Sequence, residues 1–87
     1  MTKVGPTAEH LIETEVGGDI SLYDPTSERV VVLNATASDI WRLCDGEQTL
    51  DEVIDLIAKA YDQRPDEIRP HVTTTIEQFR EEGFLVS

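Results

Sequence analysis

The chain has one cysteine, few basic residues and no long apolar run, and each shortage excludes a class of protein. Because Cys44 has no second cysteine to pair with, no disulfide can form within the chain, which is typical of a reducing compartment. Lys and Arg number 7 against 18 Asp and Glu, so the formal net charge of -11 repels nucleic acid and anionic lipid. No segment approaches the roughly 20 apolar residues of a membrane span, and the N-terminus lacks the apolar run of a signal peptide. We therefore expect a cytoplasmic protein without a nucleic-acid or membrane partner.

Groupings of reactive side chains are also scarce. His10 and His71 are far apart in the sequence, and neither a CxxC nor an HxxxH spacing occurs, which argues against a metal site. Cys44 lies on the apolar stripe of a predicted helix without an evident base, so a buried structural thiol is favoured over a nucleophile. The adjacent Gly17 and Gly18 are typical of a turn rather than of a phosphate-binding loop. We expect no catalytic residues, no cofactor and no metal.

The length of 87 residues favours one domain, residues 1–87, with a single modest core. The first third of the chain carries strand patterns. In EHLIETEV, apolar and β-branched residues fall at every second position, and GGDISLYD repeats that spacing after the glycine pair. YDPTSERVVVLN then predicts a turn at Pro25 and a third strand. The short connections favour a three-stranded antiparallel meander with the third strand at an edge.

From Asn34 onwards the apolar residues recur with the period of an α-helix. They predict a short first helix, which either Asn34 or Thr36 caps, and they place Trp41 in the core. Thr49 and Glu52 have the spacing of a capping box at the start of a second helix.

A third helix is predicted to begin at Pro65, since proline suits the first turn of a helix. Pro70 lies about a turn and a half later, where it removes a backbone donor, so we expect a kink or a restart there. Gly83 is placed to end the helix in a left-handed conformation, with Phe84 against Phe79. Three strands followed by three helices predict an α+β fold that is winged helix-turn-helix-like.

The strand from Val30 to Leu33 is apolar on both faces, although a core needs only one of them. Alternation puts Val30 and Val32 on one face, and Val31 and Leu33 on the other. An uncovered apolar edge strand is an aggregation hazard. Either a helix covers this edge, or the edge is kept for an incoming peptide that adds a strand through main-chain hydrogen bonds. The residues alone leave these two alternatives open.

The motifs from Val30 to Val86 resemble those of the PqqD-like family. VVLNATASDIW, LCDGEQTLDEVIDLIAKAYD and RPDEIRPHVTTTIEQFREEGFL follow one another as the apolar strand, the helix starts and the last helix do in that family. Its members are recognition elements for the precursors of ribosomally made, post-translationally modified peptides. The resemblance implies a non-catalytic protein that binds the leader segment of a precursor peptide. It further implies presentation of that leader to a leader protease and a macrocyclase, as in lasso-peptide biosynthesis.

The resemblance also implies where the leader lies. In the family it forms an extra antiparallel strand on the third strand, in a groove walled by the third helix. Carried onto this chain, the peptide-binding residues are Val30, Val31, Val32, Leu33, Val72, Thr73, Ile76 and Phe79. We expect Val31 and Leu33 to face the third helix.

Two other functions fit parts of the sequence. A PqqD-type peptide chaperone for a radical enzyme of cofactor biosynthesis is similar in size. An acyl or peptidyl carrier protein is likewise small, acidic and helical, but it needs an attachment serine at a DSL-like helix start, and neither Ser27 nor Ser38 has that context. A DNA-binding winged helix is disfavoured because the third helix is acidic.

Overall fold

A three-stranded antiparallel sheet is followed along the chain by three helices. The structure, a computed structural model, describes residues 3–86. The sheet has the order β1-β2-β3. The elements are β1 (Ile12–Val16), β2 (Asp19–Asp24), β3 (Arg29–Val32), α1 (Ala35–Leu43), α2 (Leu50–Ala60) and α3 (Pro65–Glu81). The predicted α+β, winged helix-turn-helix-like fold and the edge position of the third strand are confirmed.

The β1–β2 hairpin follows directly from its two glycines. Gly17 and Gly18 both have positive φ, which the type I′ turn between Val16 and Asp19 requires. This turn fixes the register of the hairpin, and that register turns Ile20 and Leu22 of the middle strand into the core.

The first two helices begin at caps that the sequence indicates. Asn34, rather than Thr36, caps α1, because its Oδ1 accepts the backbone N–H of Ala37 at 2.8 Å. The capping box of α2 is confirmed: the backbone N–H of Glu52 donates to Thr49 Oγ1, and that of Thr49 donates to Glu52 Oε1.

The third helix runs without interruption from Pro65 to Glu81, so the restart considered at Pro70 does not occur. Pro70 removes the donor for the carbonyl of Asp66, but both residues are exposed, and water can solvate that carbonyl. The helix α3 ends in a Schellman motif, as predicted. Gly83 has φ 77° and donates to the Arg80 carbonyl, and Phe84 donates to the Phe79 carbonyl at 2.8 Å.

Trp41 lies in the centre of the core, as its helical register predicts, with 3% of its surface exposed. Its ring packs edge-on against Phe79 and Phe84, with centroid distances of 5.2 and 6.2 Å. The indole N–H donates to Glu13 Oε1 on β1, so its polar group is satisfied.

An N-terminal arm that sequence patterns did not reveal connects distant parts of the chain. The Val4 N–H donates to the Gln48 carbonyl before α2, and the Ala8 N–H donates to the Phe84 carbonyl after α3. Gly5 has φ 95°, and a Cβ there would lie 2.2 Å from the carbonyl oxygen of Cys44. Only glycine therefore allows the arm to pass so close to the end of α1.

Among residues 3–86, α3 is the longest helix at 17 residues. Neither it nor α1 or α2 has the length and apolar content of a membrane span.

Candidate functional site

A groove of about 500 Å³ separates β3 from α3. We call it the β3–α3 groove. Its lining comes from β3, the start of α1, α3 from His71 onwards and the segment after α3. These residues are Arg29, Val31, Val32, Leu33, Asn34, Ala37, His71, Thr75, Gln78, Phe79, Glu81, Glu82 and Phe84.

One side of the groove is a strand edge with free hydrogen-bonding groups. β3 pairs with β2, and no other strand among residues 3–86 pairs with it. The Leu33 N–H donates to the Ile20 carbonyl of β2, at 2.8 Å. Because the bonding direction alternates along an antiparallel strand, the N–H and C=O of Val31 also point to β2. Those of Val30 and Val32 point to the free edge, which can accept another strand.

The floor of the groove is apolar and firmly packed. Val31 and Leu33 extend from the inner face of β3, as predicted, where Leu33 is buried and Val31 half-buried. Phe79 and Phe84 lie below them, each held edge-on by Trp41. An incoming apolar side chain would meet a preformed surface, which lowers the entropic cost of binding.

The helical side of the groove is one stripe of α3 that is more polar than the floor. His71, Thr75 and Gln78 are spaced i, i+4 and i+7, so they follow one face of the helix, and Glu82 continues that face at the C-cap. The Thr75 hydroxyl donates to the His71 carbonyl at 2.9 Å, so it is satisfied without a ligand.

The structure brings together only part of the predicted peptide-binding set. Val31, Leu33 and Phe79 line the groove, and Val32 borders it at the strand edge, although alternation puts its side chain on the other face of β3. Val30 lies on the opposite face of β3, with 62% of its surface exposed. Whether any of these residues binds a peptide stays a prediction.

The predicted helical wall needs correction. Val72 and Ile76 are 0% and 1% exposed, and both belong to the core. Thr73 is half-buried and does not line the groove. The reason is that the core takes the apolar stripe of α3, and the neighbouring stripe with Thr75 is left facing β3.

One ion pair crosses the groove near its end. Arg29 Nη1 donates to Glu82 Oε2 at 2.6 Å, from the start of β3 to the end of α3. Both side chains remain partly exposed, at 58% and 38%, so the pair contributes little to stability.

The sheet carries a second apolar surface on the side away from the helices, which we call the outer face. It consists of exposed side chains from all three strands: Ile12, Val16, Tyr23, Val30 and Val32. Ile12 pairs with Tyr23, and Tyr23 with Val30, so these three form a continuous row. A contiguous exposed apolar row is a candidate surface for contact with another molecule.

The other sheet edge, β1, is protected by inward-pointing charges. Glu13 accepts from the Trp41 indole, and Glu15 accepts from Arg42 at 3.0 Å. Charged side chains on the inner face are a common defence of an edge strand against pairing. Of the two edges, β3 is therefore the one suited to a fourth strand.

The thiol of Cys44 is unsuited to nucleophilic chemistry. Burial raises its pKa from 9.0 to about 12, so it is protonated at neutral pH. Among residues 3–86, no three His, Cys, Asp or Glu side chains are grouped so that they could hold a metal ion.

One family model and two solved structures are similar to this chain. The family model described as Coenzyme PQQ synthesis protein D (PqqD) matches residues 19–85. The solved structure of TbiB1 in complex with the TbiA(beta) leader peptide is similar, with a TM-score of 0.82, 15% identity, and 93% of this chain and 94% of that chain covered. Lasso peptide synthetase B1, complexed with the leader peptide, has a TM-score of 0.78, 18% identity, and 94% and 96% covered. No curated protein matches the chain.

Proposed function

The chain belongs to the PqqD family, and we propose that it binds the leader segment of a ribosomally synthesised precursor peptide as a fourth, antiparallel strand along β3. The observation that carries this proposal is the free edge of β3 beside a preformed apolar groove. The protein acts without catalysis: it holds the leader extended and brings the precursor to its processing enzymes.

Strand addition explains affinity and selectivity together. The leader backbone bonds to the free N–H and C=O groups of Val30 and Val32, each bond contributing about 0.5–1.5 kcal/mol. Alternate leader side chains enter the groove opposite Val31 and Leu33. Fully burying one Leu or Phe side chain contributes about 1.5–3 kcal/mol, so apolar or aromatic leader residues are selected.

The two similar structures support leader binding, although strand addition is argued from this chain alone. TbiB1 and lasso peptide synthetase B1 were each solved with a leader peptide, and the likeness extends over nearly the whole of each chain. At identities of 15% and 18% the likeness is one of fold, so the proposal for this chain rests on its own free edge and groove.

We extend the proposal to the processing enzymes, a leader protease and a macrocyclase. Every second side chain of the bound leader points away from the groove, to the same side of the sheet as Val30 and Val32. These leader side chains would extend the outer face by one strand. An enzyme that packs on this combined surface contacts the protein and the leader at once. Such tethering raises the local concentration of the precursor at the enzyme.

A PqqD-type role beside a radical enzyme would use the same groove, and the family description favours it as the second candidate. The partner enzyme distinguishes the two roles. Co-purification of the leader-bound protein with a protease supports the lasso-type role, and co-purification with a radical enzyme supports the other.

Leader binding is tested by titrating the protein with the synthetic leader of the adjacent precursor gene. Trp41 is the only tryptophan and touches two residues of the groove, so its fluorescence reports occupancy. We expect micromolar or tighter binding, and at least a roughly tenfold loss in Thr75→Gln, because the longer side chain fills the groove.

Thr74→Gln is the matched control, because Thr74 is exposed on the same helix and does not line the groove. Equal affinities of Thr75→Gln, Thr74→Gln and the wild type would remove the groove from the binding site.

A further inference from the structure

We infer that Arg29 sets the register of the bound peptide by pairing with an acidic side chain on the incoming strand. The inference rests on the proposed function and adds a charge requirement to it. Arg29 is the only Arg or Lys among the described residues that line the groove. The other charged lining residues are Glu81 and Glu82.

The position of Arg29 on β3 directs its side chain into the groove. Arg29, Val31 and Leu33 are spaced by two residues, so they share the inner face of the strand. Across the opposite side of the strand, Arg29 pairs with Asp24 of β2. The Asp24 carboxylate accepts the Thr26 N–H and lies 3.6 Å from His10. Asp24 is thus the cross-strand neighbour of Arg29 on the β2 side, and the proposed acidic residue of the peptide would be its neighbour on the free side.

The guanidinium of Arg29 has donors left for a second carboxylate. Within residues 3–86 its only hydrogen bond goes from Nη1 to Glu82. Arginine has five N–H donors, and 58% of this side chain is exposed. A carboxylate on a fourth strand can therefore bind the guanidinium beside Glu82 or in place of it.

Antiparallel pairing fixes where that carboxylate lies in the peptide. The peptide runs from the Leu33 end of β3 towards Arg29, and side chains directly opposite each other are about 4.5–5.5 Å apart at Cβ. The acidic residue therefore comes two positions after the residue opposite Val31, and four after the residue opposite Leu33. The resulting pattern is apolar, any residue, apolar, any residue, acidic.

No other register accommodates the acidic residue as well. A shift by two towards Leu33 places the carboxylate opposite Val31 in the apolar part of the groove, where it loses water without gaining a donor. A shift by two the other way carries it past Arg29, the first residue of β3. A shift by one turns every side chain of the peptide to the other face. The net charge of -11 adds repulsion wherever Arg29 is not within reach.

The test selects peptides from a displayed library of random sequences of about ten residues, long enough to pass both ends of β3. The library is selected in parallel on the wild type, Arg29→Glu, Arg29→Gln and Arg64→Glu. Arg64→Glu is the matched control: it changes the charge as Arg29→Glu does, but Arg64 is 78% exposed at the start of α3 and outside the groove.

We expect Asp or Glu four positions after the first apolar residue with the wild type and with Arg64→Glu. In the selected peptides, exchanging that residue for Lys should weaken binding about three- to tenfold. Arg29→Glu should select Lys or Arg there instead. Arg29→Gln should select no charge, and it provides the answer if Arg29→Glu does not fold.

Three results overturn the inference while leaving the proposed function intact. They are an acidic preference that persists in Arg29→Gln, a basic preference in the wild type, and selected peptides without any charge preference. Failure to select any peptide on the wild type would overturn the proposed function, and this inference with it.

Discussion

Cys44 makes the stability of the core depend on pH. Its Sγ donates to the Ile40 carbonyl, and burial raises the thiol pKa from 9.0 to about 12. Because the pKa is higher in the folded protein, the thiol's contribution to stability is complete below the unfolded value of 9.0. That contribution is lost as the pH rises towards the folded value, since the unfolded thiol ionises first.

We expect the free energy of unfolding to fall by about 1.4 kcal/mol more in the wild type than in Cys44→Ala between neutral pH and about pH 10. Urea denaturation of both proteins at the two pH values measures this difference. Comparing the two proteins cancels the other groups that titrate in this range. An equal fall in both would show that the thiol ionises as readily in the folded protein.

Single residues also decide which stripe of α3 faces the groove. The family resemblance implies that Val72 and Ile76 wall the groove, but a domain of this size uses these apolar residues for its core. The periodicity of a sequence identifies the apolar stripe of a helix. It does not distinguish a stripe that packs in the protein's own core from one that binds a ligand. Ile76→Asp would consequently destabilise the fold by burying a charge. A substitution of Thr75, which lines the groove, tests peptide binding instead.

At the scale of elements, the free edge of β3 is the feature on which the proposed strand addition depends. The Val30 N–H points to this edge, while the β2 ladder uses Val31 and Leu33. Val30→Pro removes that edge donor without removing a bond to β2. We expect leader affinity to fall at least about tenfold in Val30→Pro, measured by the Trp41 titration.

Val30→Thr is the control for this substitution, because threonine keeps the backbone N–H and the β-branched shape. It should bind the leader as the wild type does. Wild-type affinity in Val30→Pro would mean that the peptide does not bond to the β3 edge at this position.

The elements that the sequence predicts are those with local causes. The glycine turn, the Thr49–Glu52 capping box and the Gly83 helix end each depend on residues a few positions apart. The N-terminal arm depends instead on contacts with Gln48 and Phe84, far along the chain. Such pairings leave no periodic signal, so sequence patterns could not reveal the arm.

At the scale of the whole molecule, the protein has two apolar surfaces that share β3. The groove lies on one side of this strand, and the outer face with Ile12, Tyr23 and Val30 lies on the other. The sequence indicated that β3 has one apolar face more than a core requires. The structure adds that the outer face continues across all three strands, which follows from the register and not from one strand's pattern.

This division predicts that leader binding and leader processing can be separated. In Ile12→Ser we expect unchanged leader affinity but slower leader cleavage by the proposed leader protease, because Ile12 is on the outer face and away from the groove. Leu56→Ser is the matched control, since Leu56 is an exposed apolar residue on α2. Equal cleavage rates with the two variants would contradict a role of the outer face.

The most direct test of strand addition is amide hydrogen exchange measured residue by residue with and without the leader. The account predicts that the amides of Val30 and Val32 become protected when the leader binds, because they point to the free edge. The amides of Val31 and Leu33 already bond to β2 and should change less. Unchanged exchange at Val30 and Val32 in the leader-bound protein, with new protection at the β1 edge or on α3 alone, would contradict the account.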